Sequence, residues 1–508
     1  MAKARIGIIG AGPGGLTAAM ILAHRGLDVT VFEQKDAVGG RNAALRLGDY
    51  TFDTGPTFLL MKFILDEMFA EAGRRVEDYL EFAAMDPLYR LKIGGVDLLP
   101  SPRTEETKAE VQRHFPGNEA GVDRFMKAER ARFERLMPCL QKDYSSLLAY
   151  LTPVFLKALP RMSLGRSVFQ NLGRYFDHDD LKLCFAFQSK YLGMSPWTCP
   201  AFFTMLSYIE YAFGIYHVTG GLNRISHAMA AVVEEEGGSI RLNARVKELV
   251  LDDRRAVGVR LEDGSDERFD RIVVNADFGH AMNTLVPSNV LRRYTPAKLK
   301  KWKLSCSTFM LYLGVNRLYP DHPHHNVIFA DDYRRNIEEI SERRVLSGDP
   351  SLYVQNASVT DATLAPEGKS TIYILVPCPN VRGGVDWPAA ADDYADKVLR
   401  IVEERGGFTG LRDSIEEKKI TTPADWQAEY GVYEGATFNL AHTIRQVLYF
   451  RPHNRFEEIA NCYLVGGGTH PGSGLPTIYE SGRISGNLLC KDLGIPFKPP
   501  PALGPGPR

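Results

Sequence analysis

The stretch that decides the fold is Arg5-Ile6-Gly7-Ile8-Ile9-Gly10-Ala11-Gly12-Pro13-Gly14-Gly15, followed by Leu27-Asp28-Val29-Thr30-Val31-Phe32-Glu33. The apolar run up to Gly10 reads as a buried parallel strand, Gly14 to Arg25 as a helix and Leu27 to Phe32 as a second strand, which together make a β-α-β unit. Gly10, Gly12 and Gly15 form a G-x-G-x-x-G pattern in the first turn. Missing side chains there let backbone N–H groups approach a pyrophosphate at the helix N-terminus. A bare match elsewhere would be an ordinary tight turn. Here Glu33 closes the second strand, 21 residues after Gly12, where a carboxylate accepts both ribose hydroxyls of an adenosine and repels a 2′-phosphate.

Outward from this unit, Gly39-Gly40-Arg41 supplies a second glycine pair and a cation able to approach a pyrophosphate. At the far end, Tyr463-Leu464-Val465-Gly466-Gly467-Gly468-Thr469-His470-Pro471-Gly472-Ser473-Gly474-Leu475-Pro476-Thr477 repeats the order strand, glycine turn, helix. Two helix N-termini from opposite ends of the chain suit a long ligand with its pyrophosphate at one and an isoalloxazine carbonyl at the other. FAD fits this better than NAD.

The 508 residues exceed one compact core, so two or three domains are expected. With 61 basic and 62 acidic residues the formal charge is −1, and no basic stripe exists to track a phosphate backbone, which argues against a nucleic-acid partner. Seven scattered Cys without CxxC spacing indicate reduced thiols. The N-terminus runs straight into strand pattern without a secretory signal, and the uncharged run Leu192 to Ile209 is broken by Pro196 and Pro200, so a cytoplasmic chain without a spanning helix is expected. Residues 105–215 read as mainly helical. Further strands are expected at Ile240–Leu242, Val246–Leu251, Ala256–Leu261, Arg271–Asn275, Ser307–Gly314, Leu352–Gln355, Thr371–Pro377 and Cys462–Val465, and helices at Asn223–Glu236, Ala391–Glu404 and Thr477–Leu493. Three imidazoles in Asp321-His322-Pro323-His324-His325 suggest a metal, but Pro323 breaks the spacing and the segment reads as a solvated loop. No metal site is expected.

Glu33 with Gly39-Gly40-Arg41, Val246 within Asn243 to Val250, and Gly466 to Pro476 resemble the flavin amine oxidase and phytoene desaturase superfamily. Phe52-Asp53-Thr54-Gly55-Pro56-Thr57, Ser305 to Gly314, Leu364 to Lys369 and Phe450 to Arg455 resemble the bacterial carotenoid desaturases, over the whole chain except the proline tail. Within them, Asp53 to Lys62, Gln188 to Pro196 and Gly214 to Arg224 are most similar to the 4,4′-diapophytoene (dehydrosqualene or squalene) desaturases of methane-oxidising bacteria. Where the family often has Gly-Ala-Gly-Thr-His-Pro-Gly-Ala-Gly-Ile-Pro, this chain has Gly-Gly-Gly and Ser-Gly-Leu, small changes that leave FAD in place.

The resemblance implies a Rossmann-like FAD-binding domain of the glutathione-reductase and amine-oxidase type (1–62, 216–292, 455–495), a mixed-sheet substrate domain (63–104, 293–454), a helical membrane-facing region (105–215) and a disordered tail (496–508). It places adenine beside Val246, ribose on Glu33, and pyrophosphate on Gly10, Gly12, Pro13, Gly14 and Gly15 with Gly39, Gly40 and Arg41. The flavin ring falls over the turn holding Gly468, Thr469, Gly474, Leu475 and Pro476. The implied reaction introduces conjugated double bonds into a linear apolar polyisoprenoid, C30 diapophytoene first, with C40 phytoene as the alternative. Relatives that are isomerases, saturases or terminal-methyl oxygenases share these motifs. A prenyl-binding chaperone like the GDP-dissociation inhibitors would have lost them, and here they are intact. Oxygen or a membrane quinone is the implied electron acceptor. No base is assigned: His470, Asp53 and Glu480 are considered, each with an ordinary reading as a capping or helix-start residue.

Such a hydrocarbon gains about 0.8 kcal/mol per methylene on leaving water, on the order of 20 kcal/mol in all, so the enzyme meets it at the inner membrane, attached peripherally. Leu147 to Arg161 mixes apolar residues with Lys157 and Arg161, and Arg166 follows closely, as an in-plane interfacial helix would. Trp197 to Tyr216 reads equally as more of that surface, as tunnel wall or as buried core.

Overall fold

The computed structural model describes residues 3–496; the expected tail falls, from residue 497 on, outside them. The β-α-β reading holds: Arg5–Ile9, the helix Pro13–His24 and Asp28–Phe32 follow one another, and the two strands pair in parallel. They belong to a five-stranded parallel sheet ordered Cys462–Leu464, Arg271–Val274, Arg5–Ile9, Asp28–Phe32, Ser239–Arg241. Ile6, Ile8, Val29, Val31, Ile272 and Val273 are buried completely, as a sheet covered on both faces requires. The three-stranded antiparallel sheet Val246–Asp252, Arg255–Leu261, Asp266–Arg268 packs on one side of it.

A seven-stranded sheet forms the second layer, ordered Ile415–Thr421, Ser307–Val315, Ser370–Cys378, Leu352–Asn356, His325–Ile328, Arg90–Ile93, Val96–Leu98. All its pairs are antiparallel except His325–Ile328 with Arg90–Ile93. Its faces separate with the period of two that strand geometry imposes. Phe309, Leu311, Leu313, Ile372, Ile374 and Val376 pack on Val398, Leu399 and Val402 of the amphipathic helix Trp387–Glu404. The alternate residues face the first layer.

Two expectations are corrected. Asp321 to His325 is not a solvated loop: His322, His324 and His325 are buried, and the last opens an inner strand. Partners distant in sequence make this possible. His324 Nδ1 meets Thr360 Oγ1 (3.0 Å), His325 Nδ1 meets the Tyr353 hydroxyl (2.7 Å), and His322 Nε2 meets the Gly407 carbonyl (3.1 Å). Nor is Leu147 to Arg161 one helix; it is a 3-10 turn (Leu147–Leu151), a short α-helix (Pro153–Ala158) and a second 3-10 turn (Leu159–Arg161), because Pro153 and Pro160 lack the N–H a continuous helix needs. Of the Trp197 to Tyr216 run, Tyr208, Ile209 and Tyr211 lie in the core.

A buried ionic cluster ties the layers of helices together. On the closing helix Leu475–Asp492, Arg483 pairs with Glu480, and with Glu67 (2.7 Å) and Glu71 (3.5 Å) on the helix Lys62–Glu71. Arg25, just past the first helix, reaches Glu71 (3.2 Å) and Asn487 (2.6 Å). Removing one partner of such a cluster strands buried charge, at about 3–5 kcal/mol. Burial already raises the Glu67 and Glu71 carboxyls, against the pull of Arg483. Arg483→Ala is therefore expected to lower the calorimetric unfolding midpoint at neutral pH, and by less in mild acid, where the stranded carboxylates take up protons; an equal loss at both would refute this account.

Candidate active site: a glycine-rich cradle opening into an apolar cavity

The carboxyl ends of the parallel strands carry the glycine turns. Ile9 pairs with Val274, so Asn275 falls beside Gly10 and donates from Nδ2 to its carbonyl (3.0 Å). The strands on either side of Arg5–Ile9 connect away in opposite directions, the switch point where open α/β sheets bind ligands. A Cβ on Gly15 would lie 2.3 Å from the Gly10 carbonyl, so Gly15 lets helix and strand meet. On Gly12 it would find no backbone atom closer than 3.9 Å, only Asn275 Nδ2 at 3.0 Å; that space is left for a ligand.

The first and closing helices lie side by side, their contact so close that a Cβ on Gly482 would be 2.6 Å from the Gly14 carbonyl. Each begins Gly-then-Pro or Gly-Leu-Pro, with no side chain capping its first N–H groups. Uncapped first turns carry partial positive charge and unsatisfied donors, and both open on the same space.

Glu33 lies at that space, its Oε2 accepting from Ala11 N–H (2.9 Å) and its Oε1 from Lys35 N–H (3.0 Å). Among the described residues neither oxygen has a cation within ion-pair distance, which leaves lone pairs for hydroxyl donors. Gly39 N–H donates to the Ala11 carbonyl (2.8 Å), and Gly39 and Gly40 take positive φ (113° and 55°), which brings Arg41 over the first turn. Arg41 Nη1 donates to the Thr437 carbonyl (2.7 Å), and the Asn439 amide, donating to Asp277 (2.9 Å) and accepting from Arg41 (3.3 Å), links it to that carboxylate. Burial raises the Asp277 carboxyl, with Arg41 opposing it.

The closing turn is held from behind by Arg451, fully buried, whose guanidinium donates to the carbonyls of Gly467 (2.5 Å), Thr469 (3.0 Å), Gln446 (3.1 Å) and Leu440 (3.3 Å). Ser473 N–H donates to His442 Nε2 (3.1 Å), and burial keeps that imidazole neutral.

One cavity of about 550 Å³ joins all of this, within the range of ligand pockets. Gly10, Gly12, Pro13, Glu33, Gly40, Arg41 and Val246 line one end. Gly468, Gly474, Leu475 and Pro476 line its middle. Gly14, Gly15, Gly39 and Thr469 do not line it: the first three pack the backbone around the turns, and Thr469 Oγ1 donates to the Pro452 carbonyl (2.7 Å). Beyond the closing turn the cavity runs under the seven-stranded sheet, whose Thr308, Met310, Tyr373, Leu375 and Pro377 face it as the alternates of the residues packed on the helix. Tyr373 donates its hydroxyl to the Gly55 carbonyl (2.7 Å) and Tyr353 spends its own on His325, so both present ring faces.

The three residues weighed as a base lie elsewhere. Asp53 caps the helix Asn223–Glu235, accepting from the N–H groups of Leu222 (2.9 Å) and Asn223 (2.9 Å). Glu480 belongs to the ionic cluster. His470 packs edge-on against Tyr144, its titration pushed down to about 3 by burial. Asn275 and Asp277 carry no motif of their own, and Arg451 and Lys190 fall inside the family-like segments Phe450 to Arg455 and Gln188 to Pro196, which assign them no role; only Asn275 was within reach of sequence reasoning, as the residue ending a strand beside the glycine turn.

A profile of the flavin-containing amine oxidoreductase family matches residues 13–487. A Methylomonas protein named 4,4′-diapophytoene desaturase (4,4′-diapolycopene-forming) is 52% identical over 97% of this chain and 96% of its own. The all-trans-zeta-carotene desaturase of Myxococcus xanthus is 35% identical over 97% and 96%. An oxidoreductase from Methanosarcina mazei shares the fold, at a TM-score of 0.62 and 17% identity over 94% of this chain and 98% of that one. The chain belongs to the flavin-containing amine oxidoreductase family.

The residues present fit a flavin dinucleotide: a cradle at Gly12 that a side chain would fill, two uncapped helix starts and a carboxylate without a cation. Gly12→Val is expected to fold but to weaken FAD binding by about tenfold or more, about 1.4 kcal/mol, read from flavin content and from titration of the apoprotein. Gly15→Val, which must displace the Gly10 carbonyl, is expected to lose the circular-dichroism unfolding transition as well. A Gly12→Val protein purified with full flavin would refute the placement.

Proposed function

We propose that the chain is an FAD-dependent carotenoid desaturase that introduces conjugated double bonds into a linear C30 polyisoprenoid, 4,4′-diapophytoene or a close relative. The observation that carries this is the single cavity that starts at the glycine cradle, passes the closing turn and continues between ring faces and aliphatic side chains. FAD, when bound, supplies a two-electron hydride acceptor. The rest is the protein's share: Glu33 and the first turn hold the adenosine end, with Val246 beside the adenine. The Arg451-braced turn at Gly466 to Gly474 seats the ring. The faces of Tyr353, Tyr373 and Met310 hold the chain against it and keep water from developing positive charge. The C30 chain length follows the likeness to the Methylomonas 4,4′-diapophytoene desaturase, 52% identical, against 35% for the zeta-carotene desaturase of Myxococcus xanthus.

The segments 1–62, 216–292 and 455–495 form the cofactor unit in this reading, and 63–104 with 293–454 the substrate unit. The helix Lys62–Glu71 leans on the cofactor side through the ionic cluster. Electrons pass on to oxygen or a membrane quinone.

The region 105–215 is the membrane-facing part. No helix of the described residues is long and apolar enough to cross a bilayer, and attachment is peripheral, at the inner face of the cytoplasmic membrane. Supporting this, Leu148 and Leu151 are 70% and 68% exposed, with Leu147, Leu156, Leu159 and Leu164 also open and Lys157, Arg161 and Arg166 interspersed. The Tyr150 hydroxyl accepts from Tyr449 N–H (3.3 Å) and so brings in the exposed Ile444 and Phe450. Apolar patches rimmed by cations mark lipid surfaces.

Co-expression with dehydrosqualene or phytoene synthesis tests the reaction: yellow to red C30 polyenes are expected, with little colour from the C40 strain. The reverse would make it a phytoene desaturase, and colourless extracts from both would favour a saturase, isomerase or oxygenase. The double variant Leu148→Glu, Leu151→Glu is expected to weaken partition onto anionic vesicles by about tenfold or more, since a buried leucine contributes about 1.5–3 kcal/mol. Unchanged flotation with vesicles would move the membrane contact elsewhere.

A further inference from the structure

A desaturation that sends hydride to a flavin must also send a proton somewhere, and the cavity offers few acceptors. Its charged groups Glu33, Lys35, Arg41, Arg245, Lys247, Glu262 and Asp277, with His280, sit at the nucleotide end. At the apolar end stand tyrosines and one amine. Burial raises the hydroxyls of Tyr191, Tyr353 and Tyr373 far above the range in which they ionise. The amine is Lys190, carried by the 3-10 turn Phe187–Leu192.

Among the described residues Lys190 has no carboxylate within ion-pair distance. Its Nζ donates to Ser351 Oγ and lies 4.7 Å above the Tyr333 ring. Ser351 in turn donates to Asn336 Oδ1 (2.6 Å). The titratable groups packed about it are the Tyr333 hydroxyl and the Cys306 thiol, both pushed up by burial and so neutral. The nearby Arg334 is turned to Trp197 (4.4 Å). Glu210 lies behind Tyr191, held by Gln188 (2.7 Å) and the Tyr89 hydroxyl (3.1 Å), and does not line the cavity. The turn also brings Lys190 toward the flavin seat. A Cβ on Gly193, three residues on, would lie 3.0 Å from the Phe438 ring, and the Phe438 carbonyl accepts from Ser473 Oγ (2.9 Å) in the closing turn.

We propose that Lys190 is the proton acceptor of the desaturation, an inference that rests on the desaturase reading. One C–H bond gives up its hydrogen with both electrons to the oxidised flavin. On the neighbouring carbon the C–H electron pair becomes the new π bond, and the proton passes to the lone pair of the Lys190 amine. A charged ammonium there would oppose the positive charge that develops on the hydrocarbon, so the residue acts in its neutral form. Burial without a counter-ion supplies that form, lowering the amine to about 7. A group poised near the working pH is the efficient kind of base. The sign follows: the rate rises with pH as Lys190 loses its proton.

The test is anaerobic bleaching of the flavin in the holoenzyme by diapophytoene carried in phosphatidylcholine vesicles. The wild type is expected to react faster as pH rises through about 7. Lys190→Met and Lys190→Arg, with flavin content intact, should both be slower by about a hundredfold or more and lose the inflection, because arginine keeps the charge but does not release its proton. Ethylamine should restore Lys190→Ala in proportion to its neutral form. Lys190→Arg at the wild-type rate with the inflection kept would overturn the assignment and leave a structural cation. Should Lys190→Met not fold, the arginine variant carries the same decision. A wild-type flavin that neither diapophytoene nor phytoene bleaches would instead overturn the desaturase reading, and the assignment with it.

Discussion

Two helices whose first amide groups have no partner inside the protein meet over the carboxyl edge of a parallel sheet, and the rest of the structure is arranged around that deficit. A helix start ordinarily satisfies its donors with a side chain. Here Gly12 and Gly474 stand where the capping residues would be, followed by Pro13 at one helix and Pro476 at the other. The donors that remain, backed by both helix dipoles, ask for an anionic, carbonyl-bearing ligand. Gly14 against Gly482 is what lets the two axes come close enough for one ligand to use both.

The second layer depends on strand alternation alone. One face of Ser307–Val315 and Ser370–Cys378 is core, and the other is cavity wall. The wall is apolar although it holds several tyrosines, because their hydroxyls are turned to backbone carbonyls and to a histidine on the far side. The amine of Lys190 is conspicuous against this background, since it is paired with hydroxyl and ring rather than with a carboxylate.

What the sequence disclosed follows the range over which each signal acts. The β-α-β unit, its glycine turn and Glu33 are encoded within about thirty residues, the span of such a unit, and strands such as Ser307–Val315 announce themselves by apolar runs. The strand His325–Ile328 did not, because His325 is satisfied by Tyr353 and the imidazoles just before the strand, His324 and His322, by Thr360 and Gly407, all of them distant in sequence. The strand Ile415–Thr421, Ile-Glu-Glu-Lys-Lys-Ile-Thr, is an edge strand whose charges hide its alternation. Asp53 and Glu480 read first as a capping and a helix-start residue with chemistry as the lesser alternative, and the packing of distant segments gives them structural roles. Lys190 sits in a family-like run, Gln188 to Pro196, that says nothing of its role, and its environment is built by residues more than a hundred positions away.

The parallel sheet also sets an order of events. Arg5–Ile9 is its central strand, yet one neighbour, Arg271–Val274, lies more than 260 residues on, and the strand beyond that is Cys462–Leu464. The helix that completes the pair of uncapped starts is the last element among the described residues. At about 5–20 residues per second, synthesis leaves the first glycine turn without its partner for roughly twenty to ninety seconds. The nascent chain therefore carries an incomplete cradle until the helix Leu475–Asp492 has been made. A truncation of only the last thirty or so described residues would leave the helix start at Pro13 without the second one that shares its space.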